Sequence, residues 1–119
     1  MEKQTMVKAL SISGIAFGVV GSALPTVLIS TYGSEPTPAA RLLARLWGNR
    51  NLAFSVLAMQ LEGEALDTLL RTAVLSSLAD TTFGLLAKPV DGLPSGTGAA
   101  TAVTGGIFAA LYAYALSLD

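Results

Sequence analysis

The sequence contains no cysteine and no histidine among its 119 residues. Without cysteine there is no disulfide framework, no thiolate nucleophile and no zinc–thiolate site. Without histidine the chain lacks the usual proton shuttle near neutral pH, the Ser–His–Asp and Cys–His catalytic arrangements and the commonest metal ligand. We therefore expect no metal site. Any chemistry must use carboxylate, guanidinium, hydroxyl, amide and lysine groups.

Charge is the second deficit. Charged residues make up 13% of the chain and hydrophobic residues 52%, whereas a soluble domain usually carries about 25% charged residues. So little charge cannot cover a water-facing surface, and the apolar content excludes disorder. The formal net charge of −1 provides no basic field for nucleic acid, so we expect no nucleic-acid partner. The composition favours a small protein of the lipid bilayer.

Long charge-free stretches predict membrane-spanning helices. No charged residue lies between Lys8 and Glu35, or between Asp91 and Asp119. A bilayer core of about 30 Å needs roughly 20 helical residues, which both stretches provide, and two further apolar stretches lie between them. The fold prediction is an all-α, integral-membrane, four-helix antiparallel bundle in one transmembrane domain over residues 1–119. The predicted helices cover about 7–30, 38–61, 65–87 and 97–118.

Local signals separate the predicted helices. Thr37-Pro38 has the pattern of an N-cap followed by proline at the first helical position. Residues 62–64 form a short polar turn, and residues 88–96 form a loop rich in proline and glycine. The 62–64 turn then shares one membrane face with both chain ends, and the 88–96 loop lies at the opposite face. Within the first helix, Pro25 is expected to produce a kink and to free backbone carbonyls.

Charges within the two central helices mark candidate functional groups, because charges inside a bilayer are costly. At 1.5 Å per residue, Asp80 lies roughly 22 Å from the face that carries the polar turn, level with Trp47 on the preceding helix. Arg45, Asn49 and Arg50 flank that level within one turn. We therefore expect Asp80 to contact one of these three residues, and the sequence leaves open which.

Polar side chains of all four predicted helices converge at a similar depth. This layer predicts a pocket that opens toward the 31–37 and 88–96 loops. The candidate binding residues are Trp47, Ser77, Thr81, Thr101, Thr104 and Ser22. The alternative is that the Arg–Asp layer only holds helices together, with the hydroxyl groups bonded to backbone carbonyls. The sequence leaves both interpretations open.

The residue types of this layer suit epoxide opening. An ionised Asp80 could act as general base toward water or a substrate hydroxyl. Arg45 or Arg50, together with Asn49, could hold the substrate oxygen where negative charge develops. The further acid–base candidates are Asp67 and Glu35. Such a reaction requires no metal and no organic cofactor, and the bilayer suits an apolar small-molecule substrate.

The segment 41–51, with the sequence RLLARLWGNRN, and the later Ala79-Asp80 carry a resemblance. The chain resembles very small four-helix membrane proteins of fungal polyketide pathways. Members associated with aurovertin- and citreoviridin-type polyene pyrones are epoxide hydrolases or cyclases that convert polyepoxides into cyclic ethers. The resemblance implies this activity on a polyketide-like substrate, in the endoplasmic reticulum or another endomembrane.

The chain is also similar to the broader DoxX-like group, which supplies the alternative of a non-enzymatic membrane subunit or scaffold. A small transporter or channel is a third alternative, for which one bundle leaves little room. Small residues form two helix faces, Gly14 with Gly18, and Gly105, Gly106, Ala109, Ala110 and Ala113. Such faces let helices approach closely. They suit packing within the chain or a homo-oligomer equally.

Overall fold

The computed structural model describes residues 2–119 of the chain. Over that range the fold is all-α, with five helices and no strand. The helices are α1 Lys3–Ala23, α2 Pro25–Thr31, α3 Pro38–Gln60, α4 Gly63–Leu86 and α5 Ser95–Ser117. The last three agree with the predicted helices to within two residues at each end.

The prediction of one continuous helix over about 7–30 is wrong, because the chain breaks at Leu24. Leu24 has φ −128° and ψ 56°, outside the helical region. Pro25 has no N–H with which to continue the hydrogen bonds of α1. It begins α2 instead, at a position where the missing N–H is not needed. Instead of the expected kink at Pro25, the chain therefore forms two separate helices.

The turns around α3 follow local sequence signals. The Thr37 hydroxyl accepts a hydrogen bond from the Ala40 amide at 3.1 Å, and Pro38 occupies the first helical position. This confirms the predicted cap. At the other end of α3, only Leu61 and Glu62 separate it from α4. Gly63 makes this tight connection with a φ of +60°, a left-handed conformation that glycine adopts without strain.

The helices form two closely packed units. The first unit consists of α1, α2 and α3, and the second unit consists of α4 and α5. Glycines bring the backbones together in each. A Cβ on Gly48 of α3 would lie 2.7 Å from the Gly18 carbonyl oxygen of α1, and a Cβ on Gly98 of α5 would lie 2.6 Å from the Gly84 carbonyl oxygen of α4. The units meet each other through α1 with α5 and α3 with α4.

The hydrophobic core lies at the end of the bundle near the α3–α4 turn. Its buried side chains are Met6, Val7, Leu10, Ala58, Leu66, Leu70 and Ala115. Leu66 and Leu70 are the largest fully buried side chains. An ion pair of 2.5 Å between Lys3 of α1 and Asp67 of α4 also joins the two units at this end.

Among residues 2–119, two helices, α1 and α5, are long and apolar enough to cross a membrane, as judged by length and composition. The helices α3 and α4 are equally long, with 23 and 24 residues, but each carries several charged side chains along its length. The structure therefore confirms the prediction of an all-α fold over residues 2–119. It also contains two helices that are apolar enough to cross a membrane.

Candidate functional site

A cavity of about 300 Å³ lies between the two units, and we call it the central cavity. All five helices contribute to its walls, as do Tyr32 and Ser34 from the segment between α2 and α3. Small-molecule pockets in proteins usually have volumes of about 300–1,000 Å³. The central cavity therefore has room for a small ligand.

Asp80 of α4 and Arg50 of α3 form an ion pair in the cavity wall. The Arg50 Nη2 atom donates to Asp80 Oδ2 at 2.8 Å, and Arg50 Nη1 donates to Asp80 Oδ1 at 3.3 Å. The two side chains remain 33% and 23% exposed. The paired geometry fixes the orientation of the carboxylate. The expectation that Asp80 contacts one of three residues on α3 is confirmed, and the partner is Arg50.

Arg45 and Asn49, the other two candidates, lie outside the central cavity. Arg45 is exposed, and its Nη1 atom donates to the Ser22 carbonyl oxygen at 2.7 Å. Ser22 is in the last turn of α1, where carbonyls have no further helical amide as a partner. Asn49 is also exposed, because one residue of helical rotation, about 100°, turns it away from the direction of Arg50.

The predicted hydroxyl residues divide into two groups. Ser77, Thr101 and Thr104 line the central cavity, whereas Ser22 and Thr81 do not. Thr81 donates to the Ala102 carbonyl oxygen at 3.1 Å and thereby ties α4 to α5. The Ser22 hydroxyl lies in the contact of α1 with α3, beside Gly48. The structure therefore does not bring Ser22 and Thr81 into the central cavity with the other predicted hydroxyl residues.

The secondary acid–base candidates lie elsewhere. Asp67 is paired with Lys3 near the hydrophobic core. Glu35 is exposed on the segment before α3 and does not line the central cavity. Of the carboxylates in residues 2–119, only Asp80 lines the cavity. No three Asp or Glu side chains in this range come together as a metal site would require.

Aromatic rings form one wall of the cavity. Phe17 of α1 packs edge-to-face against Trp47 of α3 and Phe108 of α5, with centroid distances of 5.9 and 5.8 Å. Phe108 in turn lies 6.1 Å from Tyr112. Trp47 was predicted to line the pocket, whereas the other three rings were missed. The four-residue spacing of Phe108 and Tyr112 places both rings on one helix face and could have indicated them.

Tyr32 lines the cavity and makes a hydrogen bond between the two units. Its hydroxyl donates to Thr104 Oγ1 at 3.0 Å, and the Thr104 hydroxyl donates to the Ala100 carbonyl oxygen at 2.7 Å. This chain of hydrogen bonds connects the segment after α2 to α5. Sequence reasoning missed Tyr32 because its position depends on the break at Leu24.

Three buried polar atoms of cavity-lining residues have no hydrogen-bond partner within the described part of the chain. They are Arg50 Nε, Asn51 Nδ2 and Thr97 Oγ1. Native proteins leave few buried polar atoms unpaired, so each such atom requires an explanation. Asn51 was not among the predicted site residues. Its spacing from Trp47 and Phe54, four and three residues, places it on the same face of α3 and is the signal that could have found it.

Comparison with family models, with curated proteins and with solved structures finds no match to this chain. The interpretation of the site therefore rests on its own geometry. That geometry is an apolar and aromatic cavity between two helical units, with one carboxylate–guanidinium pair and several unpaired donors in its walls.

Proposed function

We propose that this protein is a membrane-embedded epoxide hydrolase or cyclase that acts on an apolar, polyketide-like small molecule without a metal or an organic cofactor. One observation carries the proposal: Asp80, held by Arg50, lines a cavity of about 300 Å³ whose remaining walls are mostly aliphatic and aromatic. Such a cavity accepts an apolar molecule and presents one general base to it.

The proposed reaction uses Asp80 as the base. In hydrolysis, Asp80 takes a proton from water while the water oxygen bonds to an epoxide carbon, and the bond from that carbon to the epoxide oxygen breaks. The epoxide oxygen then takes up a proton, and Asp80 releases the one it accepted, so that a diol forms and the carboxylate is restored. In cyclisation, a hydroxyl of the substrate replaces water, and the product is a cyclic ether.

Exposed apolar side chains support a membrane setting for α3 and α4 as well as for α1 and α5. Leu42 on α3 is 58% exposed, and Leu75 and Phe83 on α4 are 69% and 65% exposed. Large exposed apolar surface is unfavourable in water but not in lipid. Meanwhile Arg50 and Asp80 face each other inside the bundle, as charges within a bilayer usually do. We propose four membrane crossings, made by these four helices.

The resemblance of segment 41–51 to small fungal membrane proteins supports the choice of an epoxide as the reacting group. It also supports a place in secondary metabolism and in the endoplasmic reticulum or another endomembrane. These parts of the proposal depend on the resemblance, whereas the general base and the cavity depend on the geometry.

The test is turnover by the detergent-purified protein. An apolar polyepoxide is incubated with the protein, and mass spectrometry detects either a diol, heavier by one water, or an isomeric cyclic ether. We expect Asp80→Asn to lower turnover by about 10²–10⁴-fold, because asparagine cannot accept the proton. Asp67→Asn is the matched control, since Asp67 lies outside the cavity, and its turnover should remain near that of the unmodified chain.

Folding must be measured beside activity, because Asp80→Asn also leaves Arg50 without its carboxylate partner. Gel filtration and the helical circular-dichroism signal provide that check. A folded Asp80→Asn variant with near-normal turnover would contradict the role of Asp80 as base. Absence of product from the unmodified protein with every polyepoxide tested would contradict the enzyme proposal.

A second candidate function is a non-enzymatic membrane subunit or scaffold. The observation that favours it is the position of the ion pair, which bridges α3 and α4 where the two units have few other contacts. An ion pair in that place can serve to hold the units together. The scaffold and the enzyme differ in the same assay, because a scaffold yields no product from any polyepoxide.

A further inference from the structure

Two unpaired donors lie side by side in the sequence of α3 and belong to residues that line the central cavity. They are the Nε atom of Arg50 and the Nδ2 atom of Asn51, both buried and both without a partner within residues 2–119. A buried donor without an acceptor loses its hydrogen bond to water and gains none from the protein. The two atoms therefore require an acceptor that the described side chains do not supply.

The ion pair explains why the Nε atom of Arg50 stays unpaired. Both terminal nitrogens of the guanidinium donate to Asp80, so the carboxylate occupies the edge of the guanidinium opposite to Nε. No other acceptor in the part of the chain that the structure describes reaches the Nε–H group. This donor is held in place by the salt bridge, and it belongs to a residue that lines the cavity with the proposed base.

Asn51 adds a neutral donor beside this charged one. Its side chain is half-buried on the cavity face of α3, whereas the other asparagine of this helix, Asn49, is exposed on the outside. The pair of donors matches a ligand oxygen with lone pairs, as in an ether, an epoxide or a carbonyl. A hydrocarbon of the same shape would occupy the cavity but leave both donors unpaired. The site would therefore bind an oxygenated ligand in preference to that hydrocarbon.

We infer that Arg50 Nε and Asn51 Nδ2 form a binding site for an oxygen atom of an apolar ligand, and that Asn51 determines the preference for an oxygenated ligand over a hydrocarbon. The identification of this atom as the epoxide oxygen rests on the proposed function. The oxygen is then bound at the guanidinium that also holds Asp80. Asn51 is a binding residue in this proposal, and Asp80 remains the base.

Fluorescence of Trp47 provides the measurement, because Trp47 is the only tryptophan of the chain and it lines the cavity. The probes are limonene oxide, an epoxide, and limonene, the corresponding hydrocarbon, which are both transparent at the excitation wavelength. Each is titrated into the detergent-solubilised protein at one fixed detergent concentration. The ratio of the two dissociation constants reports the preference for oxygen.

For the unmodified protein we expect limonene oxide to bind about 2- to 10-fold more tightly than limonene, the range that one net hydrogen bond supplies. Asn51→Leu removes one of the two donors at similar side-chain volume, so it should lower the ratio severalfold, to the smaller preference that Arg50 Nε alone supplies, without weakening the binding of limonene. Asn49→Leu is the matched control, since Asn49 is exposed two residues earlier, and it should retain the full preference.

Two results would overturn the inference: an Asn51→Leu variant that keeps the preference, or an unmodified protein that has none. Failure of the proposed function is distinguishable, because binding is measured without turnover. A preference that depends on Asn51, found in a protein that converts no epoxide, supports the oxygen site and contradicts the enzyme. Turnover together with a preference that is insensitive to Asn51 supports the enzyme and contradicts the oxygen site.

Discussion

Arg45 and Arg50 lie on the same helix but bind groups of different kinds. Arg50 pairs with the Asp80 carboxylate in the wall of the central cavity. Arg45 donates to the Ser22 carbonyl oxygen in the last turn of α1. A cation in that place satisfies an orphan carbonyl and interacts favourably with the negative end of the helix dipole. Arg45 therefore stabilises the break between α1 and α2, whereas Arg50 belongs to the site.

This assignment leads to an expectation for Arg45→Ala. The variant should lose about 0.3–1 kcal/mol of stability, the usual magnitude for an exposed cation at a helix C-terminus, and should retain ligand binding. Thermal unfolding followed by circular dichroism measures the first effect, and Trp47 fluorescence measures the second. Arg45→Lys keeps the charge, so its stability should lie between that of the unmodified protein and that of Arg45→Ala. An Arg45→Ala variant of normal stability that no longer binds ligand would place Arg45 in the site after all.

For single residues, the sequence allowed us to predict how deep in the bundle Asp80 meets α3. It did not allow us to predict which side chains of α3 face the cavity. Counting residues placed Asp80 level with Trp47 and within one turn of Arg50, and the ion pair confirms a contact at about that depth. The sequence indicated Asn49, whereas the structure places Asn51 in the cavity wall. The rotation of α3 is hard to predict because its outer face also carries apolar side chains, including the exposed Leu42 and Leu46. A helix that is apolar on both faces has no clear hydrophobic periodicity from which to orient it.

Among the helices, α2 has the largest effect on the site. The break at Leu24 ends α1, and Leu28, Ile29 and Tyr32 then line the cavity from the α2 side. The Tyr32–Thr104 hydrogen bond joins this part of the first unit to α5 of the second unit. Because the units have few contacts with each other, we expect this hydrogen bond to help keep the cavity closed around a ligand.

Removing the Tyr32 hydroxyl tests this role. In Tyr32→Phe the ring remains but the hydrogen bond to Thr104 is lost, so a bound ligand should dissociate about 2- to 10-fold faster. Stopped-flow Trp47 fluorescence with limonene oxide measures the dissociation rate. Tyr114→Phe is the control, because Tyr114 is 47% exposed and does not line the cavity. An unchanged dissociation rate in Tyr32→Phe would mean that this hydrogen bond does not retain the ligand.

Helix boundaries were predictable where local chemistry determines them. The Thr37-Pro38 cap and the proline- and glycine-rich loop at 88–96 limit α3, α4 and α5 to within two residues of their predicted ends. The division at Leu24 was not predictable, because Pro25 is compatible with either a kinked helix or a new one. In this chain, packing of Ile29 in a buried position and the Arg45 contact to Ser22 favour the new helix.

Considered as a whole, the molecule is packed solidly at one end and contains the cavity toward the other. Leu66, Leu70 and the Lys3–Asp67 pair join the two units near the α3–α4 turn. The central cavity extends toward the segment before α3, where Tyr32 and Ser34 contribute to its wall. The core and the ion pair therefore join the two units at one end, and the cavity lies between them toward the other end.

The number of membrane crossings is the remaining property of the whole molecule, and we expect four. The helices α1 and α5 are apolar enough by themselves. With 23 and 24 residues, α3 and α4 extend about 35 Å at 1.5 Å per residue, sufficient for a bilayer core of about 30 Å. Among the charges of these two helices, Arg50 and Asp80 are paired with each other, which lowers the cost of placing these two in lipid.

Single cysteines test this topology directly, because the chain has no cysteine of its own. Glu35→Cys, Glu64→Cys and Asp91→Cys each introduce one exposed thiol, located before α3, at the start of α4 and after α4. A membrane-impermeant maleimide is added to sealed vesicles that contain the protein in one orientation. If α3 and α4 each cross the bilayer, positions 35 and 91 react alike and position 64 reacts only from the opposite side. Equal labelling of all three positions would mean that α3 and α4 do not cross, and a bundle with two crossings would replace the four proposed here.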